Sequence, residues 1–178
     1  NYGKLKWFNS MYIRKLSDEK LFDLVLPHYI KAGLIKENPS DKELDYLKNV
    51  LPIVKERLEL INDAPGLSDF MFGETPPYKT WEAIIPKNVT KDTVAGILTE
   101  AKNVLQRLGE KSNEDLQHEL YLLTEKFSVK AGAIFMPIRI AITGINKSPE
   151  LFPVMNILGK DIVLKRLDKA LEKLSSSP

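Results

Sequence analysis

The sequence predicts an all-α fold, and three observations support that prediction. Apolar residues recur at three- and four-residue steps along most of the chain, which is the spacing of one buried face of a helix. Serine followed by acidic residues stands where several of these stripes begin, as it does at helix N-termini. No alternating run bounded by turn residues requires a β-strand.

The first predicted helix lies in residues 4–16. Leu5, Phe8, Tyr12 and Leu16 form a stripe at helical spacing, and we interpret it as part of the core. The alternative is a nucleic-acid surface, because Trp7 and Tyr12 stand among basic residues and aromatic rings can stack on bases.

Serine caps predict the next two helices. Ser17 precedes two acidic residues and begins a helix that runs towards Gly33. Ser40 and Glu43 form a capping box, in which each side chain bonds the backbone of the other. Proline inside a helix lacks an N–H donor, so the prolines at positions 27 and 52 are expected to kink or interrupt these helices.

A stretch rich in proline and glycine, residues 72–78, is continued irregularly to about residue 90. Such segments commonly separate domains. We therefore predict two helical subdomains, residues 1–75 and residues 76–178.

Four further stripes follow in the C-terminal part. They comprise a helix from about Val94 that ends at Gly109, a helix capped by Ser112 that continues to Phe127, a buried helix in residues 130–144, and a last helix after Gly159. Ser148 and Pro149 are predicted to begin a helix between the last two, with Ser148 as its cap and Pro149 at the first position.

Composition excludes several classes of protein. The 178 residues contain no cysteine, which rules out disulfides and thiolate metal sites and favours a reducing, cytoplasmic location. No apolar run approaches the roughly 18–20 residues that span a bilayer. The chain begins with neither a signal peptide nor an initiator methionine, so we expect a piece of a longer protein.

No pattern of catalytic or metal-binding residues is present. The two histidines, His28 and His118, are far apart in sequence, and no HExxH spacing occurs. Glycine-rich phosphate loops and a Gly-x-Ser-x-Gly nucleophile elbow are also absent. We therefore expect a binding module that is not catalytic by itself and holds no cofactor.

Charge is distributed unevenly along the chain. Residues 1–20 carry about +3 and residues 130–178 about +4, whereas the middle carries about −5. An anionic partner at a basic face is one interpretation, and a chance distribution of solvated charges is the other. Arg139 lies in a nearly unbroken apolar run and needs a partner there. A helix N-terminus near Arg139 and Lys147 would suit a phosphate or a base edge.

Two segments of the chain resemble sequences of one known family. Residues 4–14 read Lys-Leu-x-Trp-x-Asn-x-x-Tyr-Ile-Arg, which is similar to the stretch that follows the catalytic region of bacterial glutamyl-tRNA synthetases. Residues 137–144, 148–151 and 158–160 resemble the P-[LI]-R-x-A-[LI]-T-G, [ST]-P-x-L and L-G-K patterns near their C-terminus. The HIGH-type and KMSKS-type sequences of the catalytic domain do not occur in this chain.

The resemblance implies two packed helical bundles that form an anticodon-binding helical cage for the tRNA(Glu) anticodon stem-loop. It implies a monomer without a membrane partner, in which ATP and Mg bind the missing catalytic domain that ligates glutamate to tRNA. Four expected nucleic-acid-binding residues are carried over from the family pattern, namely Arg57, Arg139, Ser148 and Leu151. We add the basic residues Lys130 and Lys147 to this set. Arg57, in residues 55–61, is the position that would read the third anticodon base.

Two alternatives stay open at this point. The first is a non-discriminating synthetase that also charges tRNA(Gln), and the arginine at position 57 argues against it. The second is a helical protein-interaction domain without an RNA role. Retention of RNA at low salt, lost at high salt, separates that second alternative from the anticodon-binding interpretation.

Overall fold

A computed structural model describes residues 1–108 and 112–177, and throughout these ranges the regular structure is helical. The ten α-helices are α1 (Tyr2–Lys15), α2 (Asp18–Lys31), α3 (Asp41–Lys55), α4 (Ala64–Ser68), α5 (Lys91–Leu108), α6 (Asn113–Tyr121), α7 (Leu123–Phe127), α8 (Ala131–Thr143), α9 (Leu151–Leu158) and α10 (Lys160–Ser176). Short 3-10 turns lie at Ile61–Asp63, Asp69–Met71 and Trp81–Ile84. The prediction of an all-α class is confirmed.

Internal contacts divide the chain into two compact units, Asn1–Phe72 and Gly73–Pro178. This division falls inside the proline- and glycine-rich stretch noted in the sequence. The division into subdomains 1–75 and 76–178 stays a prediction, because packing contacts alone do not test which segments fold independently.

The first unit is built on α2, α3 and α4. Its core includes Leu21, Val25, Leu47 and Val54, which the sequence stripes place on the inner faces of α2 and α3. Tyr29 is fully buried beside α4, where its hydroxyl lies 2.6 Å from Ser68 Oγ and 3.1 Å from the Ala64 carbonyl. Burial raises the pKa of Tyr29 to about 12, so the Tyr29 hydroxyl keeps its proton, and with it the ability to donate a hydrogen bond, well above neutral pH.

The predicted helix starts in this unit are confirmed by their caps. Ser17 Oγ accepts from the Lys20 N–H, and Ser40 and Glu43 form the reciprocal capping box. Helices α2 and α3 continue through the prolines at positions 27 and 52, so neither proline interrupts its helix. The alternative, that each proline kinks its helix, stays a prediction. Packing of the apolar faces outweighs the loss of one backbone hydrogen bond.

The core stripe predicted for α1 is wrong for three of its four residues. Leu5, Phe8 and Tyr12 are 59%, 54% and 66% exposed, whereas Leu16 is buried. Helix α1 contributes to the core of its unit through Ile13 and, at its C-cap, Leu16, whereas the N-terminal turns of the stripe are exposed. Helical spacing shows which residues share a face, but not whether another element covers that face.

The second unit is a bundle in which α5, α8 and α10 contact one another in pairs. Its buried residues include Ile97, Leu98, Ile138, Leu167 and Ala170, as their periodicity predicts. Helices α6 and α7 pack against α5 and α8 and leave a short break at Leu122 in what the sequence predicts as one helix. The predicted end of α5 at Gly109 lies outside the described residues.

Candidate nucleic-acid interface

Three helices of the second unit enclose a cavity of about 450 Å³. Its lining residues are Asn113 and Gln117 from α6, Phe135 and Arg139 from α8, and Glu150, Leu151, Phe152 and Pro153 from the start of α9. A volume of this size lies within the range of about 300–1,000 Å³ found for ligand-binding pockets. The lining combines one cation, one carboxylate, two carboxamides and apolar surface.

Arg139 is held in place by the chain that leads into α9. Its Nη1 donates to Ser148 Oγ at 2.5 Å and to the Pro149 carbonyl at 2.8 Å, and lies 3.4 Å from the Ser148 carbonyl. The guanidinium is partly buried and lines the cavity. These contacts provide the partner that the sequence requires for an arginine in an apolar run.

Ser148 does not cap α9, so the predicted start of this helix is wrong. Helix α9 begins at Leu151, and Glu150 occupies its N-cap position without a side-chain hydrogen bond. Ser148 Oγ accepts from Arg139 and donates to the Pro149 carbonyl at 2.9 Å instead. A tertiary contact with a charged donor is stronger than the local cap, so it takes the hydroxyl. Leu151 is buried at the start of α9 and lines the cavity.

The loop between α8 and α9 is fixed by residues 77–80. The Thr80 N–H donates to the Gly144 carbonyl at 3.1 Å, and the Asn146 N–H donates to Thr80 Oγ1 at 2.8 Å. Gly144 has a φ of +75°, and a Cβ at this position would lie 2.1 Å from the Pro77 carbonyl oxygen. Residues 77–80 lie outside the segments that carry the resemblance in the sequence, yet they position the loop that carries Lys147 and Ser148.

A fully buried arginine supports the end of α8 from behind. Arg166 of α10 is 0% exposed and donates to the Ile142 carbonyl at 2.6 Å and to the Gly73 carbonyl at 2.9 Å. A cation at the C-terminal end of a helix is favourable because the last carbonyls there are unpaired within the helix. The sequence holds a signal for this residue, since position 166 lies on the buried stripe between Val163 and Ala170.

Two predicted lysines lie on the surface of the same unit, at different distances from the cavity. Lys147 is exposed and directly precedes Ser148. Lys130 is exposed at the N-cap of α8, nine residues before Arg139 and about 13 Å from it along the helix axis. The structure therefore brings together Arg139, Ser148, Leu151 and the backbone beside Lys147, but leaves Lys130 at the opposite end of α8.

Arg57 lies in the first unit, in the turn that ends α3. Its backbone N–H donates to the Val54 carbonyl at 2.9 Å, and its side chain is exposed. The acidic neighbours of Arg57 pair with α1: Glu59 Oε2 lies 2.9 Å from Lys6 Nζ, and Glu56 Oε2 lies 3.5 Å from Arg14 Nε. An exposed guanidinium on a turn is accessible to a ligand, and its fork geometry suits a base edge or a phosphate.

Across residues 1–108 and 112–177, His, Asp and Glu side chains form no cluster of three or more that could hold a metal ion. In the same part of the chain no helix combines the length and the apolar character needed to cross a bilayer.

Comparisons with known proteins identify the family. Residues 20–171 match the model of the anticodon binding domain. Glutamate–tRNA ligases of Roseiflexus castenholzii and Borreliella burgdorferi are 35% and 34% identical to this chain, covering 99% and 98% of it and 35% of each relative. The chain thus spans about a third of the length of the curated relatives that it matches.

A solved structure shares the fold. The glutamate tRNA ligase from Elizabethkingia meningosepticum, in complex with its amino acid, superposes with a TM-score of 0.75 at 24% identity, over 95% of this chain and 32% of that one. The resemblance drawn from residues 4–14 and 137–160 is confirmed by the matches to the ligases, which extend over 98–99% of this chain. This chain belongs to the anticodon-binding domain family.

Proposed function

We propose that this chain is the anticodon-recognition region of a glutamate–tRNA ligase and that it binds the anticodon stem-loop of tRNA(Glu). The observation that carries the proposal is the match of 98–99% of the chain to glutamate–tRNA ligases. The cavity at Arg139 supports it, because three of the six residues expected to bind nucleic acid, Arg139, Ser148 and Leu151, lie at or beside this one cavity.

The chemistry of the cavity suits an unstacked base. Proteins read RNA sequence mostly from single-stranded loops, whose bases can turn outward into pockets. The Arg139 guanidinium offers only N–H donors, so it selects acceptors on a base edge. Leu151 supplies an apolar surface for the face of the same base, and Ser148 holds the guanidinium in one orientation.

Exposed lysines supply the part of the affinity that does not depend on sequence. Lys147 beside the cavity and Lys130 at the other end of α8 are both exposed, and we assign them to phosphates at separate points of the stem-loop. Each such contact releases a counterion from the RNA, so binding weakens as salt rises. In the first unit, Arg57 recognises the third anticodon base.

We assign the catalytic steps to the part of the ligases that this chain does not cover, about two thirds of their length. We propose that ATP and Mg²⁺ bind there, and that ligation of glutamate to tRNA needs that part of the protein. The 178-residue chain acts as a monomer and by itself neither activates glutamate nor exchanges pyrophosphate with ATP. Measurable exchange that co-purifies with this chain through several columns would contradict the assignment.

The test of the binding function is a titration of the chain with the tRNA(Glu) anticodon stem-loop across a series of salt concentrations. We expect affinity to fall steeply with salt and to exceed that for a loop of scrambled sequence on the same stem. Alanine at Lys130 or Lys147 should weaken both loops alike and lower the salt slope by about one unit.

Two outcomes would overturn the proposal. If the chain retains no RNA even at low salt, a helical protein-interaction domain becomes the better interpretation. If the triple variant with alanine at Lys130, Arg139 and Lys147 binds as tightly as the wild type at every salt concentration, the second unit does not hold the RNA.

A further inference from the structure

The wall of the cavity that α6 forms has no role in the function proposed above. Asn113 and Gln117 lie four residues apart on α6, which places both carboxamides on one face of the helix and into the lining of the cavity. Within the described residues, the Gln117 side chain forms no hydrogen bond or ion pair with the rest of the protein. A polar group at a cavity wall that the fold does not use is available to a ligand.

We propose that Gln117 is a specificity-determining residue, which reads an edge of the anticodon base that the Arg139 cavity receives. This inference rests on the proposed function, because it assumes that an anticodon base enters the cavity. Gln117 would contact the base directly from α6, while the guanidinium contacts it from α8.

The charges around the cavity favour a neutral base over a phosphate as the group near Gln117. Glu150 lies at the start of α9 and lines the same cavity as Arg139. A carboxylate repels phosphate oxygens but accepts hydrogen bonds from the amino or imino groups of a base. The lining thus suits a neutral ligand that carries both donors and acceptors.

Aromatic surface adds a second reason for a base. The rings of Phe135 and Phe152 lie with their centroids 6.4 Å apart at 71°, and both line the cavity. Bases stack on phenylalanine rings, and such contacts tolerate any base. Discrimination between bases must therefore come from the polar groups of the lining.

Gln117 supplies a hydrogen-bond acceptor, which the Arg139 guanidinium does not have. The guanidinium can only donate, whereas a carboxamide both donates and accepts. A base in the cavity would meet donors from α8 and, from α6, a group that can match either an amino group or a carbonyl. Contacts with both groups distinguish more bases than an arginine alone.

The experiment uses two substitutions at one position and a matched control elsewhere. Gln117→Ala removes the carboxamide, Gln117→Glu leaves a group that only accepts, and Gln106→Ala changes the same residue type at an exposed position of α5 outside the cavity lining. The 178-residue chain and each variant are titrated with stem-loops that carry each of the four bases at each of the three anticodon positions.

At one anticodon position, Gln117→Ala should reduce the affinity ratio between the preferred base and the others by about fivefold or more. At the same position Gln117→Glu should favour bases with an amino group at C4 or C6 over those with a carbonyl there, which is C over U or A over G, by about tenfold. The added negative charge weakens all loops alike and cancels in the ratio. Gln106→Ala should leave every ratio unchanged.

The inference fails if the base ratios of both Gln117 variants stay within about twofold of the wild type at all three positions. In that case Arg139→Ala, titrated beside them, should still weaken binding, and the proposed function stands. If the wild type does not prefer its own anticodon loop over a scrambled loop, the proposed function and this inference fail together.

Discussion

The cavity at Arg139 and the turn at Arg57 each present an arginine as a candidate for RNA recognition, but the two arginines differ in their burial and in the contacts around them. Arg139 is partly buried, and its guanidinium is fixed by Ser148 and Pro149. Behind it, the end of α8 is held by the fully buried Arg166 and by the close approach of Gly144 to Pro77. Arg57 is exposed on a turn.

The turn at Arg57 is connected to α1 by ion pairs at the surface. The Lys6–Glu59 and Arg14–Glu56 pairs have side chains that are about 39–74% exposed, so solvent screens them. Contacts among buried groups are shielded from water and salt, whereas contacts between exposed side chains are screened by them. We therefore expect the cavity to depend on the interior of its unit, and the turn at Arg57 to depend on contacts at the surface.

The strongest test of that difference is the removal of the buried arginine. Arg166→Met keeps an unbranched side chain of similar length but leaves the Ile142 and Gly73 carbonyls without the guanidinium. A hydrogen bond to a charged group contributes roughly 1.5–3 kcal/mol and two are lost, so the free energy of unfolding should fall by about 3–4 kcal/mol. The measurement is chemical denaturation followed by circular dichroism.

The control is Lys165→Met, one residue earlier on the same helix. Lys165 pairs at the surface with Glu74, and the pair raises the pKa of the lysine and lowers that of the carboxylate, yet both side chains are largely exposed. We expect no measurable change in the midpoint of denaturation. Equal effects of the two substitutions would show that the buried contacts of Arg166 do not support the cavity region.

A smaller loss is expected from Gly144→Ala, in the loop that carries Ser148. The left-handed backbone costs a residue with a Cβ about 1–2 kcal/mol, and the new methyl group would collide with the Pro77 carbonyl. Together these effects should lower the free energy of unfolding by about 2–3 kcal/mol. Gly132→Ala in α8 is the matched control, since a Cβ there meets no atom within 4 Å. It should stabilise the chain slightly because alanine favours helix; equal destabilisation of both variants would contradict the role of residue 144.

The smallest expected effect is at Arg57, where substitution should change base preference rather than stability. The third anticodon base is C in tRNA(Glu) and G in tRNA(Gln). On its Watson–Crick edge C presents two acceptors, whereas G presents two donors, and a guanidinium has only donors. Arg57→Gln should therefore lower the preference for C over G by roughly 1–3 kcal/mol, with a modest loss of affinity for the C loop.

That prediction is measured by titration with stem-loops that differ only at the third anticodon base. Arg14→Gln is the matched control, because it removes the same charge from an exposed arginine of the same unit. It should weaken both loops alike. An unchanged C-to-G ratio in Arg57→Gln would transfer the reading of this base to Arg139, and would return the non-discriminating synthetase to consideration.

Local sequence was sufficient to predict the class of fold and most helix starts. The caps at Ser17, Ser40 and Ser112 occur as predicted, because an N-cap joins a side chain to a backbone group only three residues away. Ser148 shows the limit of the same rule. Its hydroxyl could serve as a cap or as a partner for Arg139, and only the tertiary structure brings the guanidinium within 2.5 Å.

The candidate site divides in the same way. The sequence by itself determined that Arg139 needs a partner and that residues 137–151 resemble an anticodon-binding pattern, since those features lie within 15 consecutive positions. Only the tertiary structure decided that Gln117 faces the same cavity, that Thr80 holds the loop before Ser148, and that Arg166 lies behind α8. These contacts join residues 22 to 93 positions apart, and helical periodicity specifies which side of each helix is apolar without specifying which neighbour covers it.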